Sequence, residues 1–223
     1  MESPARHVYR RLHAALGPQG WWPAETPFEV MVGAVLVQNA AWTNVERAIA
    51  RLREADLLEP RRLARAPRET VEQLVRSAGY YRQKSRRLQI LCEWLLARCD
   101  GQVDRLRDAP LGRLRAELLG LHGIGPETAD SILLYALELP ALVVDAYTRR
   151  IWVRHGWIAP PADYHALQRR LADDLPVDVA LYNELHALVV QVGKDYCKKR
   201  RPACDACPLA DLLPDGGPCS DER

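Results

Sequence analysis

The chain of 223 residues is 48% hydrophobic and balances 31 Lys plus Arg against 29 Asp plus Glu, for a formal net charge of +2. That length and apolar content support one domain or two modest lobes around a true core and exclude disorder, collagen and a coiled coil. The charges nearly cancel, so any nucleic-acid footprint must come from where the cations sit rather than from their total.

Apolar residues recur at helical spacing nearly throughout, and no run alternates long enough to demand a sheet, so the predicted class is all-α. Residues 1–11 carry charge without the apolar run of a signal peptide, and no stretch approaches the roughly 20 apolar residues of a membrane span. The expectation is a cytoplasmic protein with no membrane partner. Thr26, Pro27 and Glu29 form a capping-box start for a buried helix over 28–37. Thr43 and Glu46 predict a second cap, after which Val45, Ala48, Ile49 and Leu52 keep one apolar face. Two starts so close imply a tight turn over 38–42. Further helices are predicted at 70–77, 84–98 and 111–119, then from 126 to near Pro140, and then at 143–154. Pro160 and Pro161 make the best linker candidate.

Residues 118–130 read L-L-G-L-H-G-I-G-P-E-T-A-D, a short helix, a Gly-x-Gly turn, and a helix opening at Pro126. Gly123 and Gly125 allow a tight turn with close backbone approach, and the first-turn N–H groups of the second helix form an anion site. This helix-hairpin-helix pattern suits sequence-independent gripping of a DNA phosphate, with a bridging monovalent cation as a candidate partner. A plain interhelical turn is the alternative, and the flanking Leu121 and Ile124 favour the DNA reading. Beyond the hairpin lies Asp145, in L-V-V-D-A-Y-T-R-R, which taken alone is a good N-cap for a helix beginning at Ala146.

Cys197, Cys204, Cys207 and Cys219 crowd the end of the chain, with K-K-R-R-P-A between the first two. Four thiolates this close suit either a 4Fe-4S cluster or structural zinc. Lys198, Lys199, Arg200 and Arg201 are four cations in a loop clamped at both ends, suited to phosphates; a solvated charge run is the alternative.

The hairpin, the spacing to Asp145 and the cysteine run together resemble the endonuclease III superfamily of DNA glycosylases over most of the chain, from about Pro27 to Cys207. The resemblance implies a two-lobed helical fold, with a lobe at 27–138 ending in the hairpin. A second lobe is formed by 1–26 plus 139–223, carrying the cluster loop at 197–219. It implies that Asp145 stabilises the cationic sugar as the glycosidic bond breaks. It also selects 4Fe-4S over zinc, through the spacing C-x6-C-x2-C-x5-C. The first three positions match, but Leu213 stands in the fourth slot and Cys219 comes later. Gln38 matches the residue that fills the gap left by a flipped base, and Tyr80 matches the wedge on the opposite strand. Many members carry a lysine where this sequence has Glu127, and a carboxylate cannot form a Schiff base. The implied enzyme is a monofunctional glycosylase that uses water on double-stranded DNA containing a damaged base. Within the superfamily, G-I-G-P-E-T-A-D resembles the branch of 3-methyladenine-type glycosylases, and Trp22 and Trp42 become candidate pocket walls for a cationic alkylated purine, with Glu127 beside them. Two alternatives stand: an oxidised-pyrimidine glycosylase with lyase activity, and a non-catalytic DNA-binding module with a structural cluster.

Overall fold

The computed structural model describes residues 3–161 and 163–220. Among them it has eleven α-helices and no strand, as the helical periodicity predicts. They run α1 Pro4–Leu16, α2 Pro27–Leu36, α3 Trp42–Glu54, α4 Pro60–Arg65, α5 Arg68–Leu74, α6 Tyr81–Cys99, α7 Leu111–Leu119, α8 Pro126–Ser131, α9 Ala146–Arg154, α10 Tyr164–Ala172 and α11 Val179–Asp195. The chain forms two compact units, a central one of Trp22–Ala141 and a terminal one of Met1–Trp21 with Leu142–Arg223. Pro160 and Pro161 therefore lie inside the terminal unit and are not a linker; they sit in the short connection between α9 and α10.

In the central unit α2 is the hub. The Thr26 hydroxyl accepts the Glu29 N–H at 3.1 Å, Pro27 occupies the first turn, and every residue from Phe28 to Leu36 is buried. Around α2 pack α3, α6 and α8. The helix α3 begins two residues earlier than its sequence suggests. Ala41 is its N-cap in an extended conformation with no side-chain hydrogen bond, because the turn closed by Ala40 N–H on Val37 O at 3.0 Å ends there. Thr43 is thus inside the first turn rather than capping it.

Lys84 on α6 is buried and donates to Leu36 O at 2.8 Å and Ala78 O at 2.7 Å. It pins α6 to the end of α2, and burial pushes its amine down to about 8. The pair α7 and α8 forms the hairpin, and after α8 the chain widens into a π-helical turn, Ile132–Ala136, that carries Tyr135.

Arg115 and Asp130 tie the two hairpin helices with two bonds of 2.7 and 3.0 Å, and the Asp130 side chain is only 1% exposed. Replacing the carboxylate by an amide weakens two charge-assisted hydrogen bonds. Asp130→Asn is expected to cost about 2 kcal/mol in urea unfolding; a change within the roughly 0.5 kcal/mol typical of surface substitutions would show the pair to be dispensable.

In the terminal unit α1 and α9 pack on α11. The Tyr147 side chain of α9 lies directly over Gly193 of α11, where an added Cβ would sit 2.2 Å from the ring. Only glycine fits there.

Candidate active site and metal centre

The hairpin turn is built around two glycines with different reasons for being there. Gly123 has φ +86° and lies under the Arg87 side chain, where an added Cβ would sit 2.2 Å from the guanidine Nε. Gly125 is the extended N-cap of α8, with φ −92° and ψ 176°, and a Cβ there would meet nothing within 4 Å. Neither strain nor crowding within the protein demands glycine at 125. Glu127 is exposed in the first turn of α8.

Gln38 does not project freely from its turn. Its amide nitrogen donates to Gly123 O at 3.2 Å and to the Thr128 hydroxyl at 2.8 Å, while its oxygen accepts from Arg87. To enter a duplex the side chain must leave all three partners. Tyr80, by contrast, is 66% exposed and held at φ 45° as the N-cap of α6, a position that presents the ring to solvent.

Trp22 and Trp42 meet each other directly. Their rings are 5.2 Å apart at 85°, and Trp22 also lies 5.1 Å from the Tyr135 ring and over Gly33. An edge-to-face pair leaves no slot for a base between the rings, so the expected two-walled cage is not preformed. The physical reason is that Trp22 is drawn into packing against Gly33 and Tyr135. Trp42 instead lines an open hollow of about 370 Å³ together with Glu25, Glu29, Glu46, Ile49 and Arg53. Arg53 forks onto both oxygens of buried Glu29 at 2.8 Å.

Asp145 heads α9 in a capping box. Its Oδ1 accepts the Thr148 N–H at 2.7 Å and the Thr148 hydroxyl at 2.8 Å, and its own N–H reaches that hydroxyl at 3.2 Å. The other oxygen, Oδ2, faces His186 Nε2 at 3.8 Å. Burial pushes the carboxyl up, but His186 and the Thr148 bonds outweigh it and hold the group below the usual carboxylate range. It is therefore ionised at neutral pH although its side chain is only 9% exposed.

Cys197, Cys204 and Cys207 line one hollow with Ile151, Val192, Leu209, Leu213 and Pro218. Burial raises the thiols of Cys204 and Cys207, and the neighbouring cysteines push the same way. Such thiols ionise readily only against a strong cation. The guanidinium of buried Arg154 donates to Cys197 Sγ at 3.4 Å and to the carbonyls of Lys198 and Lys199 at 2.8 and 3.1 Å. These donors and the apolar hollow fit an iron-sulfur cluster. Among the described residues no His, Cys, Asp or Glu set converges as tightly as a single metal ion needs. Leu213, in the slot where the family pattern has its fourth cysteine, faces the same hollow. Exposed Cys219 follows Pro218 and donates its N–H to Arg154 O at 2.8 Å. Lys198, Lys199, Arg200 and Arg201 are all exposed on a loop closed by Ala203 N–H to Tyr196 O at 2.9 Å.

The family model described as HhH-GPD superfamily base excision DNA repair protein matches residues 32–176, and the iron-sulfur binding domain of endonuclease III matches residues 197–212. The chain belongs to this superfamily and is a DNA glycosylase of the endonuclease III family, with a 4Fe-4S cluster as its cofactor. It is 42% identical over 206 residues, 92% of this chain and 93% of the relative, to a Methanocaldococcus jannaschii protein provisionally named a DNA repair glycosylase. It is 32% identical to endonuclease III of Thermotoga maritima, over 81% of this chain and 79% of that one. Among solved structures, a trapped endonuclease III-DNA covalent intermediate superposes with a TM-score of 0.80 at 28% identity, covering 93% of this chain and 92% of that chain. The H. pylori 3-methyladenine DNA glycosylase bound to 1,N6-ethenoadenine superposes with a TM-score of 0.76 at 26% identity, covering 87% and 98%. No described helix is long and apolar enough to cross a membrane.

Sequence reasoning misses His186, Arg87, Arg154 and Tyr135. All four touch their partners only through the fold.

Proposed function

We propose that the protein is a monofunctional glycosylase that removes alkylated purines from double-stranded DNA, acting as a monomer, with Asp145 and water as the chemical apparatus. The observation that carries the monofunctional reading is Glu127, which stands where many relatives carry the attacking lysine. An attacking amine is what converts base removal into strand cleavage, and a carboxylate cannot supply it. Lys84, the amine pushed down to about 8, is buried and donates to two carbonyls. Lys194, whose ammonium lies 5.5 Å from the Trp21 ring, is the first substitute to test if borohydride traps an enzyme-DNA adduct.

In the proposed step the bond from sugar C1′ to the base nitrogen breaks and its electron pair leaves with the base. A ring-methylated purine is cationic, so it departs neutral and needs no acid. Asp145 Oδ2 stabilises the sugar cation in a buried site, where a fixed charge counts for more than in water. Water then forms the new C1′–O bond and gives its proton to the carboxylate.

Gly125 supports phosphate contact at the hairpin, since an extended backbone with open space beside it leaves room for a ligand to approach. A monovalent cation bridging that phosphate is part of the proposal. The four exposed cations of the 198–201 loop supply the second phosphate contact. Tyr80 is the wedge, and Gln38 fills the vacated position once released from the hairpin. Cys219 is the fourth cluster ligand beside Cys197, Cys204 and Cys207, drawn close by its bond to Arg154; the cluster's contribution is to hold this loop in shape.

The alkylated-purine reading rests on Trp42 and the exposed Glu46 that lines the same hollow, with Trp22 as the backing ring, and on the likeness to a 3-methyladenine glycosylase. Arg53 pairs with Glu25 and Glu29 there, so Glu46 and the indole are the groups offered to a cationic base, and a desolvated cation-π contact is worth about 2 kcal/mol. Release of 3-methyladenine or 7-methylguanine is expected to exceed release of thymine glycol. Trp42→Ala should cut alkylpurine release about 10-fold or more while leaving DNA affinity, which phosphate contacts dominate, nearly unchanged. Thymine glycol as the best substrate, or an unaffected Trp42→Ala, would shift the assignment to an oxidised-pyrimidine glycosylase.

A further inference from the structure

We infer that His186 is the positioning residue of Asp145, holding the carboxylate oxygen not used in helix capping in the orientation the reaction needs. The inference rests on the reading of Asp145 as the group that faces the sugar. Capping and chemistry are competing uses of one carboxylate, and the geometry divides them between its two oxygens. Oδ1 is committed to Thr148 through bonds of 2.7 and 2.8 Å, so rotating the carboxylate would break the cap of α9. Oδ2 is left, and it faces His186 Nε2 at 3.8 Å, with both side chains about nine-tenths buried.

The imidazole is itself set in place. It rides on α11, which is locked to α9 at Gly193, and the Trp21 ring abuts it edge-on, with centroids 5.9 Å apart at 75°. A donor fixed by packing beside a buried anion costs no reorganisation when charge develops next to it. The present separation is longer than a hydrogen bond, as is common before substrate arrives, and tightens in the complex. His186 thereby keeps Oδ2 ionised and aimed while the sugar becomes cationic. It need not touch the sugar.

The test compares His186→Leu, which keeps bulk and loses the donor, with His186→Gln, which restores an N–H. Single-turnover base release is measured on whichever duplex the wild type cuts fastest among those carrying 3-methyladenine, 7-methylguanine or thymine glycol. His186→Leu should slow release about 10- to 100-fold, the range for a lost hydrogen bond to a charged group, with dissociation constants for the same duplex within about two-fold because phosphates set affinity. His186→Gln should recover most of the lost rate. A wild-type rate in His186→Leu overturns the inference, as does equal slowing of both variants, which would mark a packing role alone. Should the leucine variant fail to fold, the ring-nitrogen NMR resonances of His186 in the intact protein must shift when Asp145 is replaced by Asn; unmoved resonances also overturn it. Asp145→Asn run alongside separates the two levels. Retained excision there removes the reading of Asp145 and this inference with it, whereas an inactive Asp145→Asn beside a fully active His186→Leu removes the inference alone.

Discussion

Asp145→Asn is expected to bind damaged duplex within a few-fold of wild type and to release base at least about 100-fold more slowly, the scale on which losing one preorganised electrostatic group acts. The two properties separate because asparagine is as good an N-cap as aspartate, so α9 stays in place. What disappears is the negative charge. Oδ2 would be replaced by a neutral amide atom opposite His186, with nothing to stabilise a sugar cation. Single-turnover release and fluorescence anisotropy on the same duplex make the comparison. Excision at the wild-type rate would mean that Asp145 is only the cap it resembles in sequence.

The second large effect concerns the cysteines. Purified protein should be yellow-brown with about four irons per chain, and Cys204→Ser should lose both colour and iron. Because Arg154 joins Cys197 Sγ to the carbonyls of Lys198 and Lys199, losing the cluster should also slacken the basic loop and weaken DNA binding. Cys219→Ser should behave like Cys204→Ser. Unchanged iron content in Cys219→Ser would reject it as a ligand, and zinc in place of iron would contradict the cluster assignment itself.

Much of this architecture is legible in the sequence wherever a local rule is sufficient. The α7 bounds follow from the apolar spacing of 111–119, and Asp145 reads as the cap of a helix starting at Ala146, as found, whereas the apolar run that places the start at 143 is non-helical chain ahead of that cap. The Thr26 cap forms because its hydroxyl needs only a partner three residues away. Thr43 fails by the same logic, since the preceding turn ends two residues sooner and moves the cap to Ala41.

Contacts made by tertiary packing are not legible in this way. Lys84 reads as a surface residue until two carbonyls from separate segments close on its amine. His186 and Asp145 sit on different helices, and nothing in the spacing announces that they meet. The tryptophans show the converse: Trp22 and Trp42 are both half-buried neighbours, but their mutual angle of 85° is set by Gly33 and Tyr135 and removes the slot that their residue type invites. Arg87 likewise reveals why Gly123 is glycine only once its guanidine is seen across the turn.

Base removal by water without strand cleavage is tested most directly on one gel. Lesion-bearing duplex, with 3-methyladenine, 7-methylguanine or thymine glycol, is incubated with the protein, and each reaction is split, one half treated with alkali and the other left neutral. Cut strands are expected only in the alkali-treated half of the alkylpurine reactions, with no adduct when borohydride is present. Cut strands in the neutral half together with a borohydride-trapped adduct would contradict removal by water alone.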